Sequence, residues 1–423
     1  MKKYRLRKKC RLCNSLKLTK FLPLPSVAPG EQLREKKSQK FYEVPIDLFQ
    51  CQNCFHVQLI NIPQENLMWN NEYTFMPGNN KKIIKHFINV VNHFYKTHNK
   101  KVENAFEIGS NDGLFLEILK KKYNCNILGI DPSEIPRSVA IDKGIETLPD
   151  FFTHELSKKI SKERGSFDLV IANNVFAHAD NLSNMTRGIS NLLTDGGYFI
   201  FEASYLKDVL CKKLIGTIIH EHLSVHSLIS FEPFLKKFNL FLVDVIHDSN
   251  IQGGVIVGIV KKNSNKNRIL KSKKLIDMIK IEKSYRLNKK NGLKNYKKEF
   301  YNEIRNLKKK IEKLFNNKDN KKLFFYGAAR SIQIMIKLFF LESKIKGVLE
   351  NNRFKFNKFL PLHKPIKILN DKKHVFKSSN VYFISAWVHT DKILKIIKSR
   401  IKLGETIKCI TVFPKFKIIN VKK

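Results

Sequence analysis

At 423 residues the chain is too long for a single hydrophobic core, so we expect about two to four domains. Its formal net charge is +42, but lysine recurs along the whole chain, together with Asn, Ile and Phe. A nucleic-acid groove would need its charge clustered on one face. We therefore interpret the charge as a compositional bias typical of AT-rich coding, and we do not expect nucleic acid to be a partner. The positive background would still attract a phosphorylated substrate.

The first residues, from Met1 to Arg7, are rich in lysine and arginine and lack the apolar core of a signal peptide. No later stretch reaches ~18 uncharged apolar residues, the length that a membrane-spanning helix needs. These features predict a cytoplasmic protein without a membrane partner.

Four of the seven cysteines form two C-x2-C pairs, Cys10 with Cys13 and Cys51 with Cys54. Each pair can turn two thiolates toward one point, and four thiolates satisfy tetrahedral zinc with no open position. Such a site holds a fold together and performs no chemistry. The pattern therefore predicts structural zinc in an N-terminal module over residues 1–78, and the alternative is a set of unpaired cysteines.

Residues 69–78 form an aromatic-rich loop that includes Tyr73 and ends on Pro-Gly. The loop is either a hinge packed by its own rings or a flap over a ligand. After it, the apolar residues between Lys81 and His98 recur at helical spacing. This spacing predicts an amphipathic helix that leads into the next domain.

A strand-like run at 105–108 is joined to a helix-like run at 114–119 by a turn with two glycines, Gly109 and Gly113. Glycine lets the backbone bend sharply and approach a ligand, and the start of the following helix offers free N–H groups. A turn of this kind fits several nucleotide ligands. On its own it therefore leaves the ligand open.

Neighbouring polar residues indicate which nucleotide ligand the turn would bind. Asp131 ends the second strand-like run, where a carboxylate can accept both hydroxyls of a ribose. Glu107 stands before the turn, where a negative charge suits a cationic sulfonium ligand better than a pyrophosphate. Ligands of doubly wound sheets lie at the carboxyl ends of the strands, so we expect these acids to share one crevice with Asn173, Asn174 and Glu202.

The runs at 167–174 and 198–202 continue the alternation of strands and helices, which indicates a doubly wound α/β sheet. Residues 322–331 repeat the strand, small-residue turn and helix pattern near the C-terminus. The predicted divisions after the zinc module are a cofactor domain at 79–262, a charged helical linker at 263–320 and a C-terminal Rossmann-like domain at 321–423.

Taken together, the cysteine pairs, the segments at 107–113, 173–178 and 217–222 and the C-terminal pattern resemble the zinc-containing sugar C-methyltransferases that act on nucleotide-linked keto-deoxysugars. The resemblance implies an α/β fold: a central Rossmann-like class I methyltransferase domain between the zinc-binding module and a C-terminal Rossmann-like domain. It implies S-adenosylmethionine and structural Zn²⁺ as cofactors, and a nucleotide-diphosphate sugar as substrate. The residues expected to bind S-adenosylmethionine are Glu107, Gly109, Asn111, Gly113, Asp131, Asn173 and Asn174.

The resemblance also implies roles for individual residues. His222 would remove the proton next to the sugar ketone, while Glu221 and His178 would position the sugar and the developing enolate. Arg330 would meet the phosphates of the nucleotide, in place of a lysine common in the family. A neutral imidazole can take a carbon-bound proton acidified by a carbonyl, and a donor must stabilise the enolate oxygen.

One position departs from the family pattern. Ile219 stands where the family has a tyrosine, and isoleucine cannot donate a hydrogen bond. Either His178, Tyr205 or Tyr73 takes over this role, with the two tyrosines expected to bind substrate, or the substrate or reaction differs, or activity is reduced. The segment 252–254, Gln-Gly-Gly, likewise resembles a His-Gly-Gly turn in which Gln252 replaces the histidine.

Three other interpretations stay open. His220, His222 and His226 could form a second metal site, or they could be ordinary surface histidines. The positive charge would also suit an RNA methyltransferase with a zinc module. The isoleucine at position 219 would suit a catalytically impaired protein that still binds S-adenosylmethionine and a nucleotide sugar.

Overall fold

The computed structural model describes residues 4–30, 32–64, 67, 75–264, 269–314, 322–413 and 415–423. In chain order its strands are β1 (Tyr4–Leu6), β2 (Leu18–Leu22), β3 (Leu48–Cys51), β4 (Val57–Leu59), β5 (Asn61–Pro63), β6 (Asn104–Ile108), β7 (Asn126–Ile130), β8 (Thr147–Leu148), β9 (Phe167–Asn173), β10 (Leu193–Ser204), β11 (Ser224–Val225), β12 (Leu240–Asp248), β13 (Val255–Lys262), β14 (Lys322–Tyr326), β15 (Ile345–Glu350), β16 (Ile368–Asn370), β17 (Asn380–Ile384), β18 (Thr406–Thr411) and β19 (Lys417–Lys422).

The helices are α1 (Lys81–His98), α2 (Leu114–Tyr123), α3 (Glu134–Asp142), α4 (His154–Arg164), α5 (Leu182–Leu192), α6 (Leu206–Cys211), α7 (Leu228–Lys236), α8 (Lys273–Ser284), α9 (Tyr296–Glu312), α10 (Ile332–Leu338) and α11 (Thr390–Arg400). In the described part of the chain, no helix combines the length and the apolar character that crossing a membrane requires.

The N-terminal module is a small antiparallel sheet to which a distant segment contributes a strand. β2, β3 and β4 form a meander, and β1 pairs with β5. The fourth strand of the sheet is β11, which pairs with β4 through Ser224 and Val225. The segment that directly follows the predicted base His222 is therefore built into the cysteine-containing module.

The central domain is a seven-stranded sheet in the order β12-β13-β10-β9-β6-β7-β8. The strands β6 to β10 are parallel, and β13 is antiparallel to both of its neighbours. The strands predicted at 105–108, 126–131, 167–174 and 198–202 lie on β6, β7, β9 and β10, and the amphipathic helix predicted from Lys81 to His98 is α1. Both faces of the sheet are covered by helices, as expected for buried parallel strands.

The C-terminal sheet repeats most of this topology. Its order is β16-β15-β14-β17-β18-β19, with β14 to β18 parallel and β19 antiparallel. Counted from each domain's first strand, both sheets run third, second, first, fourth, fifth and then an antiparallel strand. The C-terminal domain thus has six of the seven strand positions of the central domain.

Helices α8 and α9 fall in the region predicted to be a charged linker, and each buries an apolar face. In α8, Leu275 packs into the central core and Glu282 accepts the backbone N–H groups of Leu228 and Ile229 at 2.8 Å each. In α9, Phe300 and Ile304 lie in a core shared with the N-terminal module and the C-terminal domain. The two helices therefore join the domains through apolar packing, while their lysines face solvent.

Replacing Phe300 by alanine tests this packing. The ring is fully buried, so its removal leaves a cavity that should cost about 3 to 5 kcal/mol of folding free energy. Denaturant unfolding followed by fluorescence measures the loss. Lys309→Ala, on the exposed face of the same helix, should leave the transition unchanged; equal effects of the two substitutions would contradict the packing role.

Candidate functional site

A cavity of about 230 Å³ opens at the carboxyl ends of β6, β7 and β9. Gly109 forms part of its floor with φ of +65°, and a Cβ on this residue would lie 2.5 Å from Cγ2 of Val175. Any side chain here would strain the backbone and clash, which explains the glycine. Six of the seven residues expected to bind cofactor line the cavity: Glu107, Gly109, Asn111, Asp131, Asn173 and Asn174.

The seventh residue, Gly113, stands just before α2 and packs away from the cavity. Its φ is +72°, and a Cβ there would lie 2.4 Å from the side chain of Ile145. This glycine therefore allows the turn to close against the neighbouring elements and does not line the cavity.

Asp131 follows β7 and is buried at the cavity wall. Its carboxylate accepts the backbone N–H of Asn111 at 2.9 Å and that of Ser133 at 2.8 Å. Burial raises its pKa, and the two N–H groups partly offset this effect. A carboxylate has more lone pairs than these two bonds use. It can therefore hold the glycine turn in place and still accept ligand hydroxyls.

Glu107 supplies a buried carboxylate beside Asp131. Its Oε1 accepts a hydrogen bond from Nδ2 of Asn173 at 3.0 Å, and its Oε2 is buried without a hydrogen-bond partner among the described residues. Burial raises its pKa well above the usual value, because the charged form is poorly solvated. A cationic ligand would remove this penalty. The residues of the cavity thus fit a ligand with a ribose and a positive charge, as S-adenosylmethionine has.

Glu202, which was expected in the same crevice, does not line the cavity and belongs instead to a chain of hydrogen bonds behind it that the sequence did not predict. Nδ2 of Asn174 donates to Oε1 of Glu202 at 2.6 Å, and Oε2 of Glu202 bonds Nε2 of His86 at 2.5 Å. His86 in turn bonds Asp248 at 3.1 Å through Nδ1. Burial favours the neutral imidazole, but Glu202 and Asp248 outweigh it and raise the pKa of His86. The one feature of the sequence that could have indicated this chain of hydrogen bonds is a histidine, His86, on the apolar face of α1.

His178 lines the central cavity, and the ring of His222 packs against it without lining the cavity itself. Their rings stack with centroids 5.2 Å apart and an interplanar angle of 18°. Nδ1 of His222 donates to the carbonyl oxygen of Thr217 at 2.6 Å, which leaves Nε2 as the nitrogen with a lone pair. Burial lowers the pKa of His222 to about 4 and that of His178 well below its usual value. Both imidazoles are therefore neutral near pH 7.

An ion pair between domains adjoins the two histidines. Nη1 of Arg330, in the turn after β14, lies 3.1 Å from Oε1 of the buried Glu221. Its charge also contributes to the lowered pKa of His178 and His222, after burial as the main cause. Arg330 thus contacts Glu221 and also lines a cleft of the C-terminal domain.

This C-terminal cleft has a volume of about 430 Å³ and lies at the ends of β14, β15 and β17. Glu350 ends β15 and accepts the N–H groups of Ala328 at 2.8 Å, Asn351 at 2.8 Å and Asn352 at 3.0 Å. Asp131 makes the corresponding contacts in the central domain. Phe75 lines both the cleft and the central cavity, so the two cavities adjoin one another.

The other predicted residues take separate positions. Tyr205 is 1% exposed and does not line the central cavity, and Tyr73 lies outside the described residues. His220 bonds the carbonyl oxygen of Val44 at 3.0 Å, and His226 packs against His56. Because these histidines contact different partners from His222, the three do not form a metal site.

The four cysteines of the N-terminal module converge. Their Sγ atoms all lie within 4.8 Å of one another, with 3.5 Å between Cys10 and Cys54 and 3.6 Å between Cys13 and Cys51. Tetrahedral zinc with Zn–S bonds of about 2.3 Å requires sulfur separations close to these. The residues present therefore fit a closed zinc site.

Comparison with known proteins agrees with this arrangement. Three family models match consecutive parts of the chain: "Putative zinc binding domain" over residues 10–69, "Methyltransferase domain" over 81–245 and "C-methyltransferase C-terminal domain" over 250–414. The C-methyltransferase NovU of Streptomyces niveus is 30% identical over 214 residues, which is 50% of this chain and 50% of that protein. The match thus spans half of the relative's length.

Solved methyltransferases resemble the central domain more remotely. The N-methyltransferase NodS of Bradyrhizobium japonicum WM9 is 15% identical, with a TM-score of 0.33, and the match covers 43% of this chain and 96% of that one. An S-adenosylmethionine-dependent methyltransferase of Clostridium acetobutylicum ATCC 824 is 17% identical, with a TM-score of 0.35 and coverage of 43% and 92%. These structural likenesses are too weak to bear on function.

In succession, the chain matches models of a zinc-binding domain, a methyltransferase domain and a C-methyltransferase C-terminal domain, and these matches support a zinc-containing, S-adenosylmethionine-dependent C-methyltransferase family. The sequence-based expectations of this family, of its α/β fold and of its two cofactors are confirmed.

The zinc site predicts one zinc ion per chain. Cys54→Ser removes one of four thiolates, so the variant should lose the metal and unfold at a lower temperature than the wild type. Elemental analysis and thermal unfolding measure the two effects. Cys211→Ser, which changes an exposed cysteine outside the cluster, is the control and should retain the ion.

The raised pKa of His86 predicts a pH-dependent stability. Its ion pairs contribute fully below the unfolded-state pKa of 6.5, and the contribution is lost as pH rises through the higher folded-state pKa. The difference in melting temperature between the wild type and His86→Gln should therefore shrink as pH increases above 6.5. A difference that stays constant from acid to alkaline pH would show that His86 stabilises the fold by packing alone.

Proposed function

We propose that the protein methylates a carbon next to the ketone of a nucleotide-activated keto-deoxysugar, with S-adenosylmethionine as methyl donor. The observation that carries the proposal is the arrangement of His222. The Nδ1 bond of His222 leaves the lone pair on Nε2, burial favours its neutral ring, and the ring stacks on His178, which lines a cavity suited to a sulfonium nucleoside.

The central cavity would hold S-adenosylmethionine, which supplies an electrophilic methyl group when bound. Asp131 would accept the ribose hydroxyls, because its carboxylate has lone pairs left after the bonds to the turn. Glu107 would stabilise the positive charge of the ligand through its unbonded Oε2. Asn173 keeps the Glu107 carboxylate in place.

His222 would deprotonate the acceptor sugar. The proton next to a ketone is acidified by the carbonyl group, and Nε2 of His222 would take it to form an imidazolium. The electron pair of the broken C–H bond would pass into an enolate. The enolate carbon would then bond to the methyl group as the methyl–sulfur bond breaks, and S-adenosylhomocysteine would leave with that electron pair. The Nδ1 bond to Thr217 holds the ring in the required tautomer.

The developing negative charge on the enolate oxygen needs a nearby cation or donor. Arg330 brings a permanent positive charge to this place, and Glu221 fixes its position. His178, stacked on His222, would contact the sugar from the side of the central cavity that it lines.

The nucleotide end of the substrate would lie in the C-terminal cleft. Glu350 repeats the strand-end arrangement of Asp131, so it is suited to accept ribose hydroxyls in the same way. Arg330, Lys355 and Lys392 also line the cleft and would favour a diphosphate. The sugar would then extend toward Glu221, which Arg330 contacts.

Ile219 favours a second candidate, a protein that binds S-adenosylmethionine and a nucleotide sugar without efficient turnover. The backbone carbonyl of Ile219 accepts the N–H of His222 at 3.0 Å, so this residue adjoins the base, but its side chain offers no donor. A tyrosine here would supply one.

A panel of nucleotide-diphosphate keto-sugars, screened by thermal shift with S-adenosylhomocysteine present, identifies the acceptor. With that sugar deuterated next to the ketone, the wild type should release deuterium to solvent and transfer a methyl group. His222→Ala should lose both by at least ~100-fold, because general-base catalysis is removed. Calorimetric binding of S-adenosylhomocysteine should be retained.

His363→Ala, on a residue of the C-terminal domain away from the site, is the matched control and should behave as the wild type. Unchanged deuterium release in His222→Ala would overturn the role of His222. If the wild type binds the sugar without turnover and Ile219→Tyr restores methyl transfer, the second candidate is correct.

A further inference from the structure

A closed zinc site leaves the metal no open position for chemistry, so its function must lie in what the two knuckles hold. Between Cys10 and Cys13 stands Arg11, whose side chain is 0% exposed although it carries a charge. Charged side chains are almost never buried completely unless they are paired. The partners of this guanidinium therefore show what the knuckle is positioned against.

Arg11 makes four hydrogen bonds to other segments. Its backbone N–H donates to Oε1 of Gln58 at 2.9 Å, within the N-terminal module. Its Nη1 donates to the carbonyl oxygens of Leu59 at 2.6 Å and Leu223 at 3.0 Å, and its Nε donates to Oδ1 of Asp180 at 3.0 Å. One planar guanidinium thus joins the knuckle to two separate segments of the central domain.

Both segments carry a histidine of the candidate site. Asp180 lies two residues after His178, and Leu223 directly follows His222. The segments are also joined to each other, because the N–H of Ser224 donates to the carbonyl oxygen of Ala177 at 3.1 Å. Arg11 therefore contacts the chain next to each of the two stacked rings.

We propose that Arg11 is a positioning residue that sets the relative placement of His178 and His222, and that zinc binding by the knuckle is thereby coupled to the geometry of the histidine pair. The functional meaning of this coupling rests on the proposed function, in which His222 is the base. The geometric coupling itself does not depend on which substrate the protein uses.

A simpler role for Arg11 would be to neutralise the charge of Asp180, and the test must distinguish that role from positioning. Asp180 also accepts hydrogen bonds from Arg5 and, at 3.0 Å, from Arg7, so its charge has other partners. The bond to the carbonyl oxygen of Leu223 does not serve the charge of Asp180. It requires a planar guanidinium that donates to Asp180 and to Leu223 at the same time. Lysine at position 11 would keep the charge and lose this geometry.

The test compares Arg11→Lys with Arg7→Lys, which changes a second arginine on the same carboxylate. Protein labelled with ¹³C at histidine Cε1 is followed by NMR through a pH titration, with His178 and His222 assigned by substitution. Zinc content is measured by elemental analysis, and binding of S-adenosylhomocysteine by calorimetry. These readouts need no acceptor sugar.

Arg11→Lys should retain one zinc ion and bind S-adenosylhomocysteine, while the signals of His178 and His222 shift together and their titration changes. The signals of His374, in the C-terminal domain, should stay in place. Arg7→Lys should leave the His178 and His222 signals as in the wild type. Zinc-loaded Arg11→Lys with unchanged signals from the pair would overturn the proposal.

If Arg11→Lys does not fold, Asp180→Asn replaces it, since this change weakens the Nε bond from the other side. The His178 signal should then shift in the zinc-loaded protein, and an unchanged signal would overturn the proposal. Absence of methyl transfer in the wild type would contradict the proposed function but not this coupling, so the two proposals fail separately.

Discussion

Glu221 is buried, and its carboxylate therefore requires a cation close by. Arg330 meets this requirement from another domain, at 3.1 Å. Removing one partner of a buried ion pair typically costs about 3 to 5 kcal/mol, whereas the intact pair contributes little net stability. The consequence of this pair is thus mainly positional. It brings the ends of the C-terminal strands to the histidine pair of the central domain.

The two Rossmann-like domains share one arrangement of side chains at the ends of their parallel strands. In each, an acid that ends the second strand accepts the N–H groups of the turn after the first strand, as Asp131 and Glu350 do. Orphan N–H groups in a turn need acceptors, and a carboxylate can satisfy them while keeping capacity for hydroxyl groups. The repeated strand order makes this correspondence possible, and the sequences of the two turns differ.

The N-terminal module is joined to the site by backbone pairing as well as by side chains. β11 completes the module's sheet, so the residues after His222 are fixed by β4 on one side and by the central domain on the other. Four metal–thiolate bonds can hold the two knuckles of this module in a fixed geometry. This explains why a methyltransferase would keep a zinc site that performs no chemistry.

The sequence by itself determined the elements whose signal is local. The apolar period of α1, the strand runs of the central sheet, the glycine turn with Asp131 and the two cysteine pairs each depend on residues close together in the chain. Six of the seven predicted cofactor-binding residues accordingly lie on one cavity. Gly113 was predicted to bind the cofactor because it lies in the same turn. Its packing against Ile145, which keeps it off the cavity, is visible only in the folded structure.

The tertiary structure decided every contact between distant segments. His86 has the spacing of a core residue on α1, and nothing near it in the chain reveals the carboxylates of Glu202 and Asp248. Likewise, nothing near Arg11 in the chain reveals its partners Asp180 and Leu223, which lie 169 and 212 residues away. A burial cost and its compensating partner are properties of the folded packing, and no local pattern encodes which partner will be there.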